Sequence, residues 1–213
     1  MLLRTVGAAL IAVFSMKAVI IDQIAIVVGT SIVKDSDIGR DIRVTEFLNG
    51  QPLDLSENVR KETASRLIDQ IFIRKEIELG NYPVATQQEA DRELEGIVRT
   101  QFKSEAALQE RLRMYGITAP DLRSHFLWQL TVLRFIDLRF KPAVLVTNSE
   151  IETYYKQHAD AFRRSHPTKY SLADVREEIV DTLTAERVNK LFFSWLEEQR
   201  KQTKIKYFER SLQ

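Results

Sequence analysis

Three histidines, His125, His158 and His166, are the side chains of this chain best suited to moving a proton or holding a metal near neutral pH. Their spacing supports neither use. No H-x3-H or H-E-x-x-H pair is present, and there is no cysteine, so cysteine zinc sites, thiolate chemistry and disulfides are excluded. No G-x-x-x-x-G-K-[ST] loop offers a phosphate cradle, so no nucleotide partner is implied. The scattered serines and aspartates lack a G-x-S-x-G turn to present a nucleophile. His125 and His158 fall on predicted helices and His166 in a short junction, so surface or rim positions are expected for all three. The sequence therefore names no catalytic residue, no metal and no cofactor, and what remains is binding by surfaces.

Charge narrows the partners. The chain carries 31 Lys and Arg against 30 Asp and Glu, a net charge of +1, and the signs are finely mixed, as in RKEIE and EEQRKQ. A nucleic-acid binder shows a basic face or block, and none is visible, so no nucleic-acid partner is expected. At 213 residues, 44% hydrophobic, the chain can bury a core of one or two domains. Seven glycines and five prolines leave little room for a turn-rich all-β fold.

The elements that must build any surface start from Asn58 to Gly96. Ala64, Leu67, Ile68, Ile71 and Phe72 recur at steps of three and four, one face of a helix. Ile73 and Ile77 widen that stripe, so the helix should be wrapped on several sides. Gly80 stands where a C-terminal cap belongs, Pro83 follows, and Thr86 with Glu89 forms a capping box that restarts a helix. That second helix, to about Phe102, turns Leu94, Ile97, Val98 and Gln101 inward. A third, Ser104 to Tyr115, places Leu108 and Leu112 one turn apart and closes at Gly116.

A long helix follows, from Thr118 or Ala119 to Phe140, with Pro120 in its first turn. Leu122, Phe126, Leu130, Leu133 and Phe140 line one side, and Trp128, Val132 and Phe135 fall on roughly the other. Two arrangements fit such a helix: both sides lie in the core, or the Trp128 side lines a groove. Under the second, the candidate binding residues are Met114, Tyr115, Trp128 and Phe135, each off the main stripe or at a helix end.

Before these helices, the apolar strands Ile24 to Val28 and Ile32 to Val33 flank Gly29-Thr30-Ser31 as a hairpin, and Asp35 or Ser36 caps a helix to about Leu48. A lone hairpin is marginal in water and needs support. After them, Asn148 or Ser149 caps a helix ending near Phe162. The longest helix then runs from Leu172 to about Thr203, with Leu172, Val175, Ile179 and Leu183 as one stripe, continued by a wider band of Val188, Leu191, Phe192, Trp195 and Leu196. Lys204 to Phe208 reads as a terminal strand that could pair with the hairpin. The expected class is mainly α, with a small sheet and the C-terminal helix packed back on the N-terminal ones.

Residues 1–18 combine Arg4 with an apolar run from Val6 to Met16, too short to span a bilayer of roughly 20 residues, and read as a cleaved secretory signal. The rival is an uncleaved inner-membrane anchor from Val6 to Val28, interrupted by Lys17 and Asp22. Cleavage takes two of the 31 basic residues and none of the acidic ones, leaving a net charge of −1.

The stretch RLIDQIFIRKEIELGNYPVATQQEADREL resembles the N-terminal chaperone domain of SurA-type periplasmic proteins. There a helix of the form L-I-D-Q-x-I ends in a glycine and is followed by an extended link and an acidic helix. The hairpin with its S-D-I helix start, the phrase ERLRMYGIT and the segment SEIETYYKQHADAF resemble the same family in the same order. In that family SEIETYYKQHADAF precedes a parvulin prolyl-isomerase domain. Here only Arg163 to Lys169 follow before YSLADVREEIVDTL, which resembles the segment after that domain. Seven residues cannot hold a domain of about 50 or more.

The resemblance thus divides the chain into a signal (1–18), a chaperone core (19–162), a junction lacking the isomerase (163–170) and a C-terminal helix and strand (171–213) that complete the core. It implies an ATP-independent periplasmic holdase for unfolded, aromatic-rich clients such as outer-membrane proteins, and no enzyme. A residual isomerase and a dedicated envelope scaffold using the Trp128 and Trp195 faces are the alternatives.

Overall fold

The computed structural model describes residues 22–102, 104–166, 168 and 170–208. The expected signal segment, residues 1–18, lies outside them. Of the rival anchor from Val6 to Val28, the last five residues form a strand rather than a helix. No helix among the described residues is long and apolar enough to cross a membrane.

Those residues build three strands, β1 (Ile24–Val28), β2 (Ser31–Lys34) and β3 (Ile205–Tyr207). The helices are α1 (Asp35–Asn49), α2 (Glu57–Leu79), α3 (Gln87–Gln101), α4 (Glu105–Tyr115), α5 (Ala119–Phe140), α6 (Asn148–Ser165) and α7 (Leu172–Gln202), with a single 3-10 turn at Lys141–Ala143. The sheet order is β2-β1-β3, both pairings antiparallel. β1 and β2 form the predicted hairpin, and β3 lies along the other edge of β1, with Ile26 opposite Tyr207 and Val28 opposite Ile205. The Gly29 N–H donates to Lys204 O at 3.0 Å and the Phe208 N–H to Ala25 O at 2.9 Å, which ties both ends of β3 down. A marginal hairpin thereby becomes the three-stranded unit that can stand on a core.

Three apolar clusters hold the helices. In the first, Ala25, Ile26, Val28 and Val33 of the sheet meet Ile68 and Phe72 of α2, Phe135 and Phe140 of α5, and Val188, Phe192 and Leu196 of α7. Tyr82, Phe140 and Trp195 stand around the Phe135 ring at centroid distances of 5.1, 5.8 and 5.8 Å. The Arg200 Nε–H donates to Asp69 at 2.7 Å and its Nη2–H to Ser65 O at 2.8 Å, fastening α7 to α2. The second cluster joins α1, α3, α4 and the start of α5 through Phe47, Ala90, Leu94, Leu108, Leu112 and Leu122. The third, Ile151, Phe162, Val175 and Ile179, lies between α6 and the first half of α7. With 31 residues at 1.5 Å each, α7 is about 46 Å long and serves two of the three clusters.

Several ends differ from expectation. α1 starts at Asp35 with Lys34, not Asp35 or Ser36, at the N-cap: the Lys34 N–H donates to Asp37 Oδ2 at 3.0 Å, and the Ser36 hydroxyl donates to Asp22 Oδ2 at 2.6 Å. Gly80 does cap α2, but at φ −88°, and the left-handed residue is Asn81 at φ 50°. Glycine is needed at position 80 for space, since a Cβ there would stand 2.4 Å from the Tyr82 ring. α6 is capped by Thr147 rather than Asn148 or Ser149, and runs three residues past Phe162, which shortens the connection to α7 to residues 166–171.

Candidate functional site

Along α5 the apolar pattern changes sides. Leu122 and Phe126 enter the second cluster, and Phe135 and Phe140 enter the first. The expected stripe through Leu133 is therefore overturned: Leu133 is 59% exposed, and Phe135 is fully buried. A helix that passes between two cores turns a different face to each, and a single wheel drawn over its whole length averages them.

Trp128 lies where the two faces meet. It is half-buried and packs on the edge of the first cluster. Two cavities adjoin it. One, of about 330 Å³, is bounded by β2, α1, α2 and α5, with Val33, Val44, Leu67 and Ile71 as apolar wall and Asp37, Asp41 and Asp121 on its polar side. The other, of about 380 Å³, lies between α2, the link before α3, and α5, against Ile77, Val84, Leu127 and Thr131. Thr131 spends its hydroxyl inside the protein, donating to Leu127 O at 2.7 Å and accepting the Ala85 N–H at 3.0 Å, so its polarity is not offered to a ligand.

Arg74, Ser124 and Trp128 line both cavities. The Arg74 guanidinium lies 3.7 Å above the indole centroid, a cation–π stack on the divide between them. Loss of water against the ring lowers the Arg74 pKa from its ordinary value, and Glu78 one turn on opposes that shift. His125 also faces the first cavity; burial pushes its pKa below the usual imidazole range, Asp41 acts to restore it, and Arg66 adds to the lowering.

The four sequence candidates separate. Met114 is 65% exposed at the end of α4. Tyr115 is 5% exposed, packs edge-to-face on Phe47 at 5.6 Å, and donates its hydroxyl to Gln51 O at 2.5 Å. Phe135 belongs to the first core. Tyr115 and Phe135 are thus corrected from surface to interior, and of the four only Trp128 stands at the cavities. Sequence reasoning put Leu67 and Ile71 on the apolar face of α2 but did not assign them to a cavity, and it missed Arg74 altogether.

The remaining histidines lie elsewhere. His158 Nδ1 is 2.9 Å from Tyr154 O and its ring stacks on Tyr154 at 4.0 Å; His166 Nε2 is 3.5 Å from Glu178. Among the described residues no group of three or more His, Asp or Glu is placed to hold a metal ion. No family model matches this chain, and no curated protein matches it.

Proposed function

We propose that this chain is an ATP-independent holding chaperone of the SurA-like kind, exported to the periplasm, without a prolyl-isomerase domain. Its clients are extended, aromatic-rich segments of unfolded polypeptide such as outer-membrane proteins. One observation carries the reading: the paired cavities on either side of Trp128, where the half-buried Leu67, Ile71 and Leu127 and the exposed Val84 stand next to an aromatic ring. The order of family-like segments along the chain, from the hairpin to the α6 segment, supports the same reading.

The energetics suit release without fuel. Burying one client phenylalanine contributes about 2–3 kcal/mol, which by itself gives an affinity weaker than millimolar. Holding therefore needs several weak contacts along one client, each of which lets go quickly.

The test pairs two assays on one preparation: light scattering of an aggregating outer-membrane-type client, and proline isomerisation in a short peptide. The expected result is suppressed scattering at stoichiometric amounts with no isomerase activity. Trp128→Ala should weaken holding while leaving the helical circular dichroism unchanged. Failure to slow aggregation sinks the holdase reading, and isomerase activity that tracks the protein sinks the rest. Export is tested separately: N-terminal sequencing of the protein from its host should find the segment before residue 19 removed.

A further inference from the structure

We infer that Arg74 makes the Trp128 groove selective for an aromatic residue that has a carboxylate two positions away in an extended chain. This rests on the reading of the groove as a client site and says what kind of client segment it takes.

The starting observation is a missing partner. Around the groove, Arg40 stands 3.6 Å from Asp121, Arg66 is bonded to Asp41, Arg134 is 2.7 Å from Glu89, and Arg139 is 3.1 Å from Glu76. The Arg74 side chain, exposed on α2, forms no ion pair and no hydrogen bond among the described residues; Glu78 attracts it only from beyond ion-pair distance. Arginine stays charged at any physiological pH, so a cation without an anion stands on the divide between the two cavities.

Its pose is prepared for one. The contact with the indole holds the guanidinium carbon 3.7 Å over the ring, and none of its N–H groups is taken up by a hydrogen bond among the described residues. A carboxylate fits that fork with two parallel hydrogen bonds, which a lysine ammonium could not offer. The carboxylates of the first cavity have partners other than Arg74: Asp37 accepts the Lys34 N–H, Asp41 holds Arg66, and Asp121 accepts the Thr118 hydroxyl at 2.6 Å and N–H at 2.8 Å.

The apolar complement is next door. Ile77, Val84 and Leu127 line the second cavity, which shares both Arg74 and Trp128. In an extended chain, residues i and i+2 point to the same side and stand about 7 Å apart. An aromatic ring entering the second cavity therefore puts a carboxylate two positions along within reach of Arg74, and a lysine there would meet a like charge. Glu78, also on this cavity, works against the carboxylate and so tempers the preference rather than creating it.

The experiment uses the full chain and four fluorescein-labelled twelve-residue peptides, identical except for a central Phe-Ser-Asp, Phe-Ser-Asn, Phe-Ser-Lys or Ala-Ser-Asp, read by anisotropy. The acidic aromatic peptide should bind about three- to tenfold more tightly than its asparagine twin, as a single partly exposed charge pair allows. The lysine peptide should bind more weakly than either, and the alanine peptide should bind least. In Arg74→Gln, with its helical content checked, the ratio between the Asp and Asn peptides should fall to one; in Glu78→Gln it should grow. Equal binding of the Asp and Asn peptides overturns the inference, and so does a ratio that survives in Arg74→Gln. Alanine-peptide binding as tight as that of the Phe-Ser-Asp peptide also overturns it, because the site would then read charge alone. If no phenylalanine peptide binds, the client-site reading itself has failed and this inference falls with it.

Discussion

Two helices in different clusters of this molecule begin in the same way. At the start of α3, the Thr86 N–H and hydroxyl donate to Glu89 Oε2 at 2.7 and 2.9 Å, and Arg134 from α5 donates to Glu89 Oε1 and to Val84 O, each at 2.7 Å. At the start of α6, the Thr147 N–H and hydroxyl donate to Glu150 Oε2 at 2.8 Å each, and Arg187 from α7 donates to Glu150 Oε1 and to Leu145 O. In both places an arginine of the neighbouring helix clamps the capping glutamate and the carbonyl two residues before the threonine. What differs is the apolar backing. α3 rests on a cluster of ten buried residues, whereas α6 and the first half of α7 share four. The comparison teaches that the clamp sets where a helix starts and which neighbour it docks on, while the amount of buried surface sets how hard it is to open.

The largest expected difference comes from the cores. Phe135→Ala removes a fully buried ring from the first cluster and should cost about 3–5 kcal/mol, lowering the melting temperature of the whole molecule. Phe162→Ala, in the small cluster, should instead speed amide exchange in α6 and the first half of α7 and leave the sheet and α2 protected. Exchange that rises everywhere in Phe162→Ala would show that the two regions open as one and would break the comparison.

Truncation after Thr203 comes next. It deletes β3 and exposes the outer edge of β1, and should cost about 1–3 kcal/mol by calorimetry through lost backbone bonds and the lost Ile205 contact. Exchange in α6 should not change, since the β3 ladder and the Ile205 contact belong to the larger region.

The smallest effect is the one that both clamps share. Hydrogen bonds from Thr86 backbone and side chain, with Arg134, hold the Glu89 carboxyl at about 2; Arg187 and then Thr147 hold Glu150 at about 2. Both folded pKa values lie below the ordinary 4.5, so the stability each clamp supplies is complete above about pH 4.5 and is lost as pH falls from there toward 2. Followed by amide exchange, α6 should loosen first on acidification. Glu150→Gln should flatten that pH response in α6 while leaving the response of α3 intact, and Glu89→Gln should do the reverse.

Much of the fold was legible because its punctuation is local. The Thr86-Glu89 box, Gly116 at φ 65° and the alternating end at Ile205–Tyr207 each act within a few residues, so the sequence shows them directly. The partner of β3 was legible for another reason: a hairpin that cannot stand alone left one free edge to fill. The site was harder. Trp128 stood out as apolar and off the main stripe, but Phe135, seven residues on and on the same side, looked equivalent. Only the placement of Tyr82 and Trp195 around it decides that one is interior. Arg74 gave no signal, since a charged residue on a helix reads as solvated until the ring beneath it is known. The Thr147 box was in plain view as T-N-S-E, yet the better-known capping types Asn148 and Ser149 beside it drew the assignment one or two residues late.

The β1–β3 pairing has a mechanical consequence. The strands are antiparallel, so Gln23, just before β1, and Phe208, just after β3, stand at the same end of the ladder. A load applied between these two points does not shear the strands past each other. It peels them apart, starting at the Phe208 N–H bond to Ala25 O and reaching the Gly29 N–H bond to Lys204 O last. Bonds broken in succession yield at lower force than bonds strained together, so β3 is the piece that detaches first under tension. The hairpin and the helices below it stay outside the line of pull until α7 itself is drawn.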